Sequence, residues 1–466
     1  MADPGQANTV HPDTGQTDAG TTRGLIAACL AASLMPLNST MIAVAVPAIS
    51  ADLHHDPGTV TQALVATYLV AAIALQSPGG KIGDRIGQWK AFAFGQGLLA
   101  VGAILGFLAP TLWLLTLSRV VIAAGGAIVV PATIALLRTE LPEAKRGRAF
   151  GIFGSVMSLA AGIGPLIGGE LVRQFGWQSI FLANLPVIVL SAVLAATARH
   201  APTPRREARF DWLGSILLAA ALTLLVSGTE MHGTRALLLV VVGLTLLLPF
   251  VLVERRAADP VVAFGLFRNV RFTAGTLVIA LLNLVMYALL FEIPLVLSAL
   301  FTIDAGETGR VIVFMMLAMV VTSTLAGRIT DHVGPRPLGI AGTLACLAGV
   351  VLLWAQPLTA PGDVRVPLAL LGVGIGLANP AAQTASMADI DRADSGMAAG
   401  IGSTMRYLGG IIGVATLGRG LDVDGGDIVG QHHLLLAIFA GVLVVTLGCA
   451  ALLGRRTTAP PGSRSR

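Results

Sequence analysis

The stretch GKIGDRIG, residues 80–87, decides the fold, because GRITDHVG at residues 327–334 repeats its pattern later in the chain. In both copies an Asp stands four positions after the first Gly, and another Gly stands three positions after the Asp. The first copy follows the second apolar segment of the chain and the other follows the tenth. A loop that recurs at matched places predicts two similar helical bundles.

The composition places the chain in a membrane. Hydrophobic residues make up 55% of it and charged residues only 12%, far from the averages of soluble domains. Fourteen apolar segments can be counted, most of them near the roughly 20 residues that a helix needs to cross a bilayer. We therefore expect an all-α membrane protein with 14 transmembrane helices. Spans 1–6 and 9–14 form two six-helix bundles, and spans 7 and 8 are two extra central helices.

These segments divide the chain into five regions. We predict a disordered cytoplasmic tail at residues 1–22, an N-terminal six-helix bundle at 23–200, a cytoplasmic linker with two extra helices at 201–256, a C-terminal six-helix bundle at 257–454 and a basic cytoplasmic tail at 455–466. Parallel repeats of this kind build a large class of secondary transporters, with substrate bound between the halves near the membrane midplane.

The distribution of basic residues predicts the orientation. With the N-terminus inside, the inner loops and tails hold 23 of the 30 Lys and Arg residues, and the outer loops hold five. Basic residues resist translocation, so we expect both termini in the cytoplasm and the protein in the plasma (inner) membrane. The net charge of +5 then reflects topology and contact with anionic membrane lipids, and nucleic acid is not an expected partner.

The sequence offers no recognisable site for an enzyme or a bound cofactor. No stretch between spans is longer than about 20 residues, which is too short for a soluble catalytic domain. The phosphate-binding pattern G-x4-G-K-[ST] does not occur. Cys29, Cys346 and Cys449 fall in separate spans, which predicts packing residues and neither disulfides nor a metal site. We expect a monomer without metal or cofactor.

Several motifs together resemble the major facilitator superfamily, and within it the fourteen-span drug:proton antiporters. GKIGDRIG is similar to the family's signature between spans 2 and 3, and GIGPLIGG at residues 162–169 is similar to the antiporter signature of span 5. Arg119, in LSRVVIAAGGAIVVPA, resembles the basic residue of span 4, although Ile122 and Ala123 replace the usual Gln and Gly. LNSTMIAVAVP at residues 37–47 resembles the span 1 motif, but Asn38 and Ala43 replace its Asp and Asn.

Two groups of residues are expected to control gating. The repeated stretch predicts a tight turn whose glycines free the backbone, with Asp84 pairing a neighbouring Arg as an inner latch. Small residues repeat every four positions in span 5, which predicts either ordinary close helix packing or a hinge that seals and unseals the cavity. The predicted gating residues are Gly80, Asp84, Arg85, Gly87, Lys90, Gly327, Asp331, Gly334, Gly162, Gly164, Pro165, Gly168 and Gly169.

Proton exchange requires an ionisable group inside the membrane, and two residues are the candidates. Arg119 is costly in an apolar span unless it is paired or hydrated. It is either a structural, snorkelling Arg or a fixed positive charge that helps protons leave nearby acids or holds an anionic substrate group. Glu292 in span 9 is either the proton carrier or an interfacial carboxylate at the outer end of a long, kinked helix.

Stripes of polar, Met and aromatic residues in spans 1, 9 and 12 are the candidates for the cavity lining. Spacings of three and four put each stripe on one helical face, where it serves either interhelical bonding or a substrate pocket. The candidates are Met35, Asn38, Met41, Asn283, Met286, Tyr287, Phe291, Asn379 and Gln383. Together they predict a mostly apolar pocket for lipophilic compounds, cationic ones included.

The resemblance and the residues lead to one main expectation. The chain is expected to export drugs or secondary metabolites by alternating access, in exchange for protons, with the proton gradient as the energy source and no enzymatic activity. Two alternatives stay open: transport of an endogenous metabolite or lipid without proton exchange, and a membrane sensor or scaffold that does not transport.

Overall fold

The computed structural model describes residues 19–141, 143–198, 212–230, 234–257, 262, 264–390, 395–420 and 427–454, and their secondary structure is helical. The helices follow the predicted spans in order: α1 (Ala19–Leu53), α2 (Pro57–Thr61, continued by a π turn at Gln62–Ala66 and by Thr67–Ile86), α3 (Gln88–Phe107), α4 (Leu112–Thr139), α5 (Glu143–Phe175), α6 (Ser179–Leu182 and Asn184–Ala196), α7 (Trp212–Glu230), α8 (Thr234–Glu254), α9 (Val270–Phe301), α10 (Ala305–Val333), α11 (Pro335–Ala355), α12 (Arg365–Met387), α13 (Ser395–Gly420) and α14 (Ile428–Ala451). Short 3-10 helices at Phe264–Arg268 and Pro361–Val364 precede α9 and α12.

The membrane fold is confirmed. In the described part of the chain, 12 helices are long and apolar enough to cross a membrane. Helices α7 and α13 fall outside that set, although they stand at the predicted spans 7 and 13. The number of 14 crossings therefore stays a prediction. Residues 1–18 of the predicted tail, the predicted tail at 455–466 and the linker residues 201–211 lie outside the described residues. The predicted disorder of residues 19–22 is wrong, because α1 already begins at Ala19.

The helices pack as two groups that meet along four helix pairs. In the N-terminal half, α1 packs on α4, α5 and α6, while α4 also packs on α2 and α3. In the C-terminal half, α9 packs on α12, α13 and α14, while α12 also packs on α10 and α11. The halves touch where α5 lies on α10, α1 on α9 and α10, and α2 on α13. Any site between the halves must therefore be formed mainly by these six helices.

The two extra helices form a pair at the side of this assembly. Helices α7 and α8 pack on each other, and α7 also contacts α2 and α13. Helix α8 leaves long apolar side chains exposed, among them Leu237, Leu244 and Leu248. Exposed leucines are stable in hydrocarbon, so this face of α8 suits contact with lipid.

The repeated motif is helical for most of its length, which corrects the expectation of a glycine-rich turn. Residues 80–86 are the last turns of α2, and residues 327–333 are the last turns of α10. A single glycine makes each turn, Gly87 at φ 95° and Gly334 at φ 82°. Only these positions need glycine's conformational freedom, because the preceding residues keep helical backbone hydrogen bonds.

Candidate functional site

Arg119 lies at the junction of α1, α2 and α4, and it is 1% exposed. Its Nε donates to the carbonyl oxygen of Leu64 at 2.9 Å, and its Nη1 donates to the backbone carbonyl oxygen of Asn38 at 3.3 Å. The guanidinium carbon stands 4.2 Å from the centre of the Tyr68 ring, a cation–π distance. A guanidinium held inside the bundle in this way does not snorkel to the membrane surface.

The Leu64 carbonyl belongs to the π turn of α2, residues Gln62–Ala66. A π turn inside an α-helix is rare and is often found at functional sites. Here the turn presents a backbone acceptor to Arg119 and is followed within one turn by Tyr68, whose hydroxyl donates to the carbonyl oxygen of Met35 at 3.1 Å. Helix α2 thus supplies both a hydrogen bond and an aromatic face to the arginine.

The amide of Asn38 turns away from Arg119 and faces α6. Its Nδ2 donates to Oδ1 of Asn184 at 2.6 Å and to the carbonyl oxygen of Leu34 at 2.8 Å. The Nδ2 of Asn184 donates back to Oδ1 of Asn38 at 3.1 Å. Both side chains are buried. Because both amide groups are used between α1 and α6, this geometry favours interhelical bonding for Asn38 over a place in a substrate pocket.

Tyr287 connects the two halves. Its hydroxyl lies 2.9 Å from Oγ of Ser39, so α9 and α1 share a hydrogen bond next to Asn38. The chain has three tyrosines. Tyr68 lies against Arg119, and Tyr287 lies beside Ser39 and packs near Gly410 of α13. The centre of the molecule therefore holds phenol groups from both halves.

Glu292 is completely buried among the helices of the C-terminal half, toward the end of α9. Its Oε1 lies 2.8 Å from Nδ1 of His432 on α14, and both side chains are 0% exposed. Oε2 of Glu292 and Nε2 of His432 have no hydrogen-bond partner among the described residues. Arg119 and Glu292, the two predicted candidates for proton exchange, have different partners in different halves. The pair that the structure assembles around Glu292 is a carboxyl and an imidazole.

The glycines of α5 are wedged between two helices. A Cβ on Gly164 or Gly168 would press on Thr40 or Met41 of α1, and a Cβ on Gly162 would lie 2.8 Å from Val320 of α10. Gly169 packs on the backbone of Ala305, and Gly309 packs on the carbonyl of Pro165. One face of α5 therefore belongs to its own bundle and the other face contacts the opposite half, as a hinge would require.

The charged residues of the repeated motif are only partly described. Arg85 and Lys90 are exposed. The side chains of Asp84 and Asp331 lie outside the described residues, so the inner latch stays a prediction. At the outer end of α5, Glu170 pairs with Arg173 on the exposed surface.

The predicted cavity residues do not all line one space. Met35 packs on Gly126 of α4, and Met41 packs on Gly168. Asn283 donates to the carbonyl oxygen of Ile279 in its own helix at 2.8 Å. Met286, Tyr287 and Phe291 are buried, whereas Asn379 and Gln383 are half-buried on α12. Oδ1 of Asn379 has no hydrogen-bond partner among the described residues.

A model of the Major Facilitator Superfamily matches residues 28–414. The chain belongs to that superfamily. Its curated relatives include the uncharacterized MFS-type transporter YvkA of Bacillus subtilis, 31% identical over 91% of this chain and 95% of the relative. The tetracenomycin C resistance and export protein of Streptomyces glaucescens is 29% identical over 84% and 74%. The riboflavin transporter RibZ of Clostridioides difficile is 27% identical over 84% and 86%.

The fold comparison agrees with the family. A bacterial homologue of the human lysosomal transporter Spinster superposes with a TM-score of 0.68 and 14% sequence identity, over 94% of this chain and 98% of that one. The superfamily fold expected from the motifs is confirmed. The chain is a multi-pass membrane transporter of small molecules and not an enzyme.

Three residues of this site were missed by the sequence analysis. His432 lies near the start of α14, which begins at Ile428, whereas the last predicted apolar span covers residues 433–454. Asn184 stands in LANLP, residues 182–186, where a single amide in an apolar stretch gave no signal of its partner. Tyr68 carried no signal beyond its rarity among the three tyrosines of the chain. A scan for His as well as for carboxylates near the span ends finds His432.

Proposed function

We propose that this chain exports lipophilic small molecules, drugs or secondary metabolites, across the plasma membrane by alternating access in exchange for protons. Both termini are then cytoplasmic, the α5 glycines form the hinge, and residues 80–90 close the inner side. The name of the tetracenomycin C resistance and export protein supports export of such compounds. The packing of α5 between α1 and α10 supports the hinge.

The Glu292–His432 pair carries the proton part of the proposal. A carboxyl and an imidazole 2.8 Å apart can hold one proton between them or bind a second, so the pair can take up and release H⁺ as its surroundings change. Ionisable residues within transmembrane bundles are costly and mark proton relays in many transporters. When the halves move, access of water to this pair from one side and then the other would couple proton entry to export.

Transport in proteoliposomes with an imposed pH gradient tests this function. The purified protein should accumulate a lipophilic fluorescent dye faster when the gradient is applied, and a protonophore should abolish the acceleration. Glu292→Gln and His432→Gln should keep downhill dye exchange and lose the response to the gradient. His433→Gln, one position along the same helix, is the matched control and should respond like the wild type.

An unchanged response to the gradient in both Glu292→Gln and His432→Gln would overturn proton coupling through this pair. A second candidate function is transport of an endogenous metabolite without proton exchange, which the name of the riboflavin transporter RibZ favours. The support for that candidate would be saturable uptake of such a metabolite that needs no dye and that the protonophore does not change.

A further inference from the structure

The positive charge of Arg119 is not balanced by an acid. Among the described residues, no carboxylate lies within ion-pair distance of its guanidinium, and its Nη2 has no hydrogen-bond partner. Its hydrogen bonds go to two neutral carbonyl oxygens. At the position where related antiporters are expected to carry an Asp, this chain has Asn38, whose amide is already used by Asn184.

A buried charge without a counterion is costly, and the cost falls when an opposite charge enters the site. A cationic molecule at the same site would raise this cost. The described part of the central region therefore favours an anion over a cation.

The groups around Arg119 suit the recognition of an acidic group on an apolar body. A guanidinium binds a carboxylate through two N–H donors, and the Nη2 of Arg119 has no hydrogen-bond partner among the described residues. The hydroxyl of Tyr68 donates to Met35 and its ring lies against the guanidinium, so Tyr287 is the phenol that can serve a ligand: its hydroxyl can accept from Ser39 and donate to the anion. Recognition of this kind uses Nη2 of Arg119 and Tyr287 of the opposite half, so it also links binding to the contact between the halves.

We propose that Arg119 binds the acidic group of the transported molecule, and that the substrates of this transporter are lipophilic acids carrying a carboxylate or a comparable anion. This inference rests on the proposed function and narrows its substrate class. The anionic group can belong to a free small molecule or to a lipid headgroup, since both present the same chemistry to the arginine.

Binding to the full-length protein in phosphatidylcholine nanodiscs tests the inference. The probes are three pyrene compounds with one apolar body and different ends: pyrenebutyrate, its uncharged amide and pyrenebutylamine. We expect pyrenebutyrate to bind at least tenfold more tightly than the amine. Arg119→Gln should weaken pyrenebutyrate about tenfold or more, as expected for loss of a charged hydrogen bond, and leave the amide nearly unchanged. Arg119→Lys keeps the positive charge, so its affinity for pyrenebutyrate should lie between those of the wild type and Arg119→Gln.

Arg235→Gln on the peripheral helix α8 is the control for loss of a positive charge elsewhere. The inference would be overturned if wild-type protein bound pyrenebutyrate and pyrenebutylamine equally. It would also be overturned if folded Arg119→Gln bound pyrenebutyrate as tightly as the wild type, with Arg119→Lys folded as well. Export of a cationic dye that survives in Arg119→Gln would overturn it too and leave the export proposal intact. Added phosphatidylglycerol that displaces pyrenebutyrate would assign the anion to a lipid, and persistence of binding would assign it to a free acid.

Discussion

Asn38 and Asn184 bind each other reciprocally across α1 and α6, each amide nitrogen donating to the oxygen of the other side chain at 2.6 and 3.1 Å. Removing one partner leaves the other amide buried and partly unpaired, so the effects of the two substitutions should not add. In a double-mutant cycle with Asn38→Ala and Asn184→Ala, we expect a coupling free energy of about 0.5–1.5 kcal/mol. Reversible unfolding of the purified protein in detergent measures it.

A matched cycle provides the control. Gln96 on α3 donates to Ser191 on α6 at 2.5 Å and has no hydrogen bond with Asn38. Asn38→Ala and Gln96→Ala should therefore add within the error of the measurement. Additivity in the Asn38 and Asn184 cycle as well would mean that the reciprocal bond is absent from the folded protein.

Replacing both members of the Glu292–His432 pair should be milder than replacing one. A single Glu292→Leu or His432→Leu leaves a buried polar partner alone, which typically costs about 3–5 kcal/mol, whereas an apolar pair of similar size is often close to neutral. The unfolding temperature of the double variant should accordingly lie above that of either single variant. Equal or greater loss in the double variant would show that the pair stabilises the fold more than leucines can.

Two glycines, one in the turn before α3 and one within α3, should respond oppositely to alanine. Gly87 has φ 95° and ψ 143°, a conformation that is essentially restricted to glycine, so Gly87→Ala should destabilise the protein by about 1–3 kcal/mol. Gly97 lies within α3 with open space around a Cβ, so Gly97→Ala should stabilise by up to about 1 kcal/mol. Thermal unfolding of the two variants side by side gives the comparison. A harmless Gly87→Ala would contradict the turn described for residue 87.

A side chain at Gly169 should loosen the contact between the halves. Gly169→Val places methyl groups against the backbone of Ala305, so we expect the state in which α5 touches α10 to lose population; a shift of 2 kcal/mol changes such an equilibrium about thirtyfold. Spin labels at Phe175 on α5 and Phe314 on α10, in a cysteine-free background, should report a longer distance. Gly154→Val, where a Cβ meets nothing within 4 Å, should leave that distance unchanged.

The sequence was sufficient for the architecture because a bilayer allows few solutions. The apolar segments and the twofold motif identified the helices and the halves, since buried backbone in lipid must be helical. The turn was harder to place, because the glycines of residues 80–87 look equivalent in the sequence and only the observed backbone singles out Gly87.

The site was less predictable, because its partners are distant in the chain. Arg119 and Glu292 could be singled out as charges in apolar spans, but their partners lie 55 and 140 residues away at Leu64 and His432. A backbone carbonyl presented by a π turn has no residue signature. Helical spacing also grouped Met35, Asn38 and Met41 on one face of α1. In the structure these three residues contact three different helices, α4, α6 and α5 respectively.

The π turn at Gln62–Ala66 also keeps the rotational phase of α2. One residue more or less in a regular helix turns everything beyond it by about 100°. The turn thus keeps the direction in which Tyr68 and the inner end of α2 point relative to Pro57 at its start. A π turn takes up one extra residue, so deleting one residue within it, such as Ala63, would restore a regular helix, keep the two ends of α2 in phase and remove the turn that presents the Leu64 carbonyl to Arg119. The irregular turn is therefore a means of freeing a backbone acceptor for the arginine without changing the alignment of the two ends of the helix.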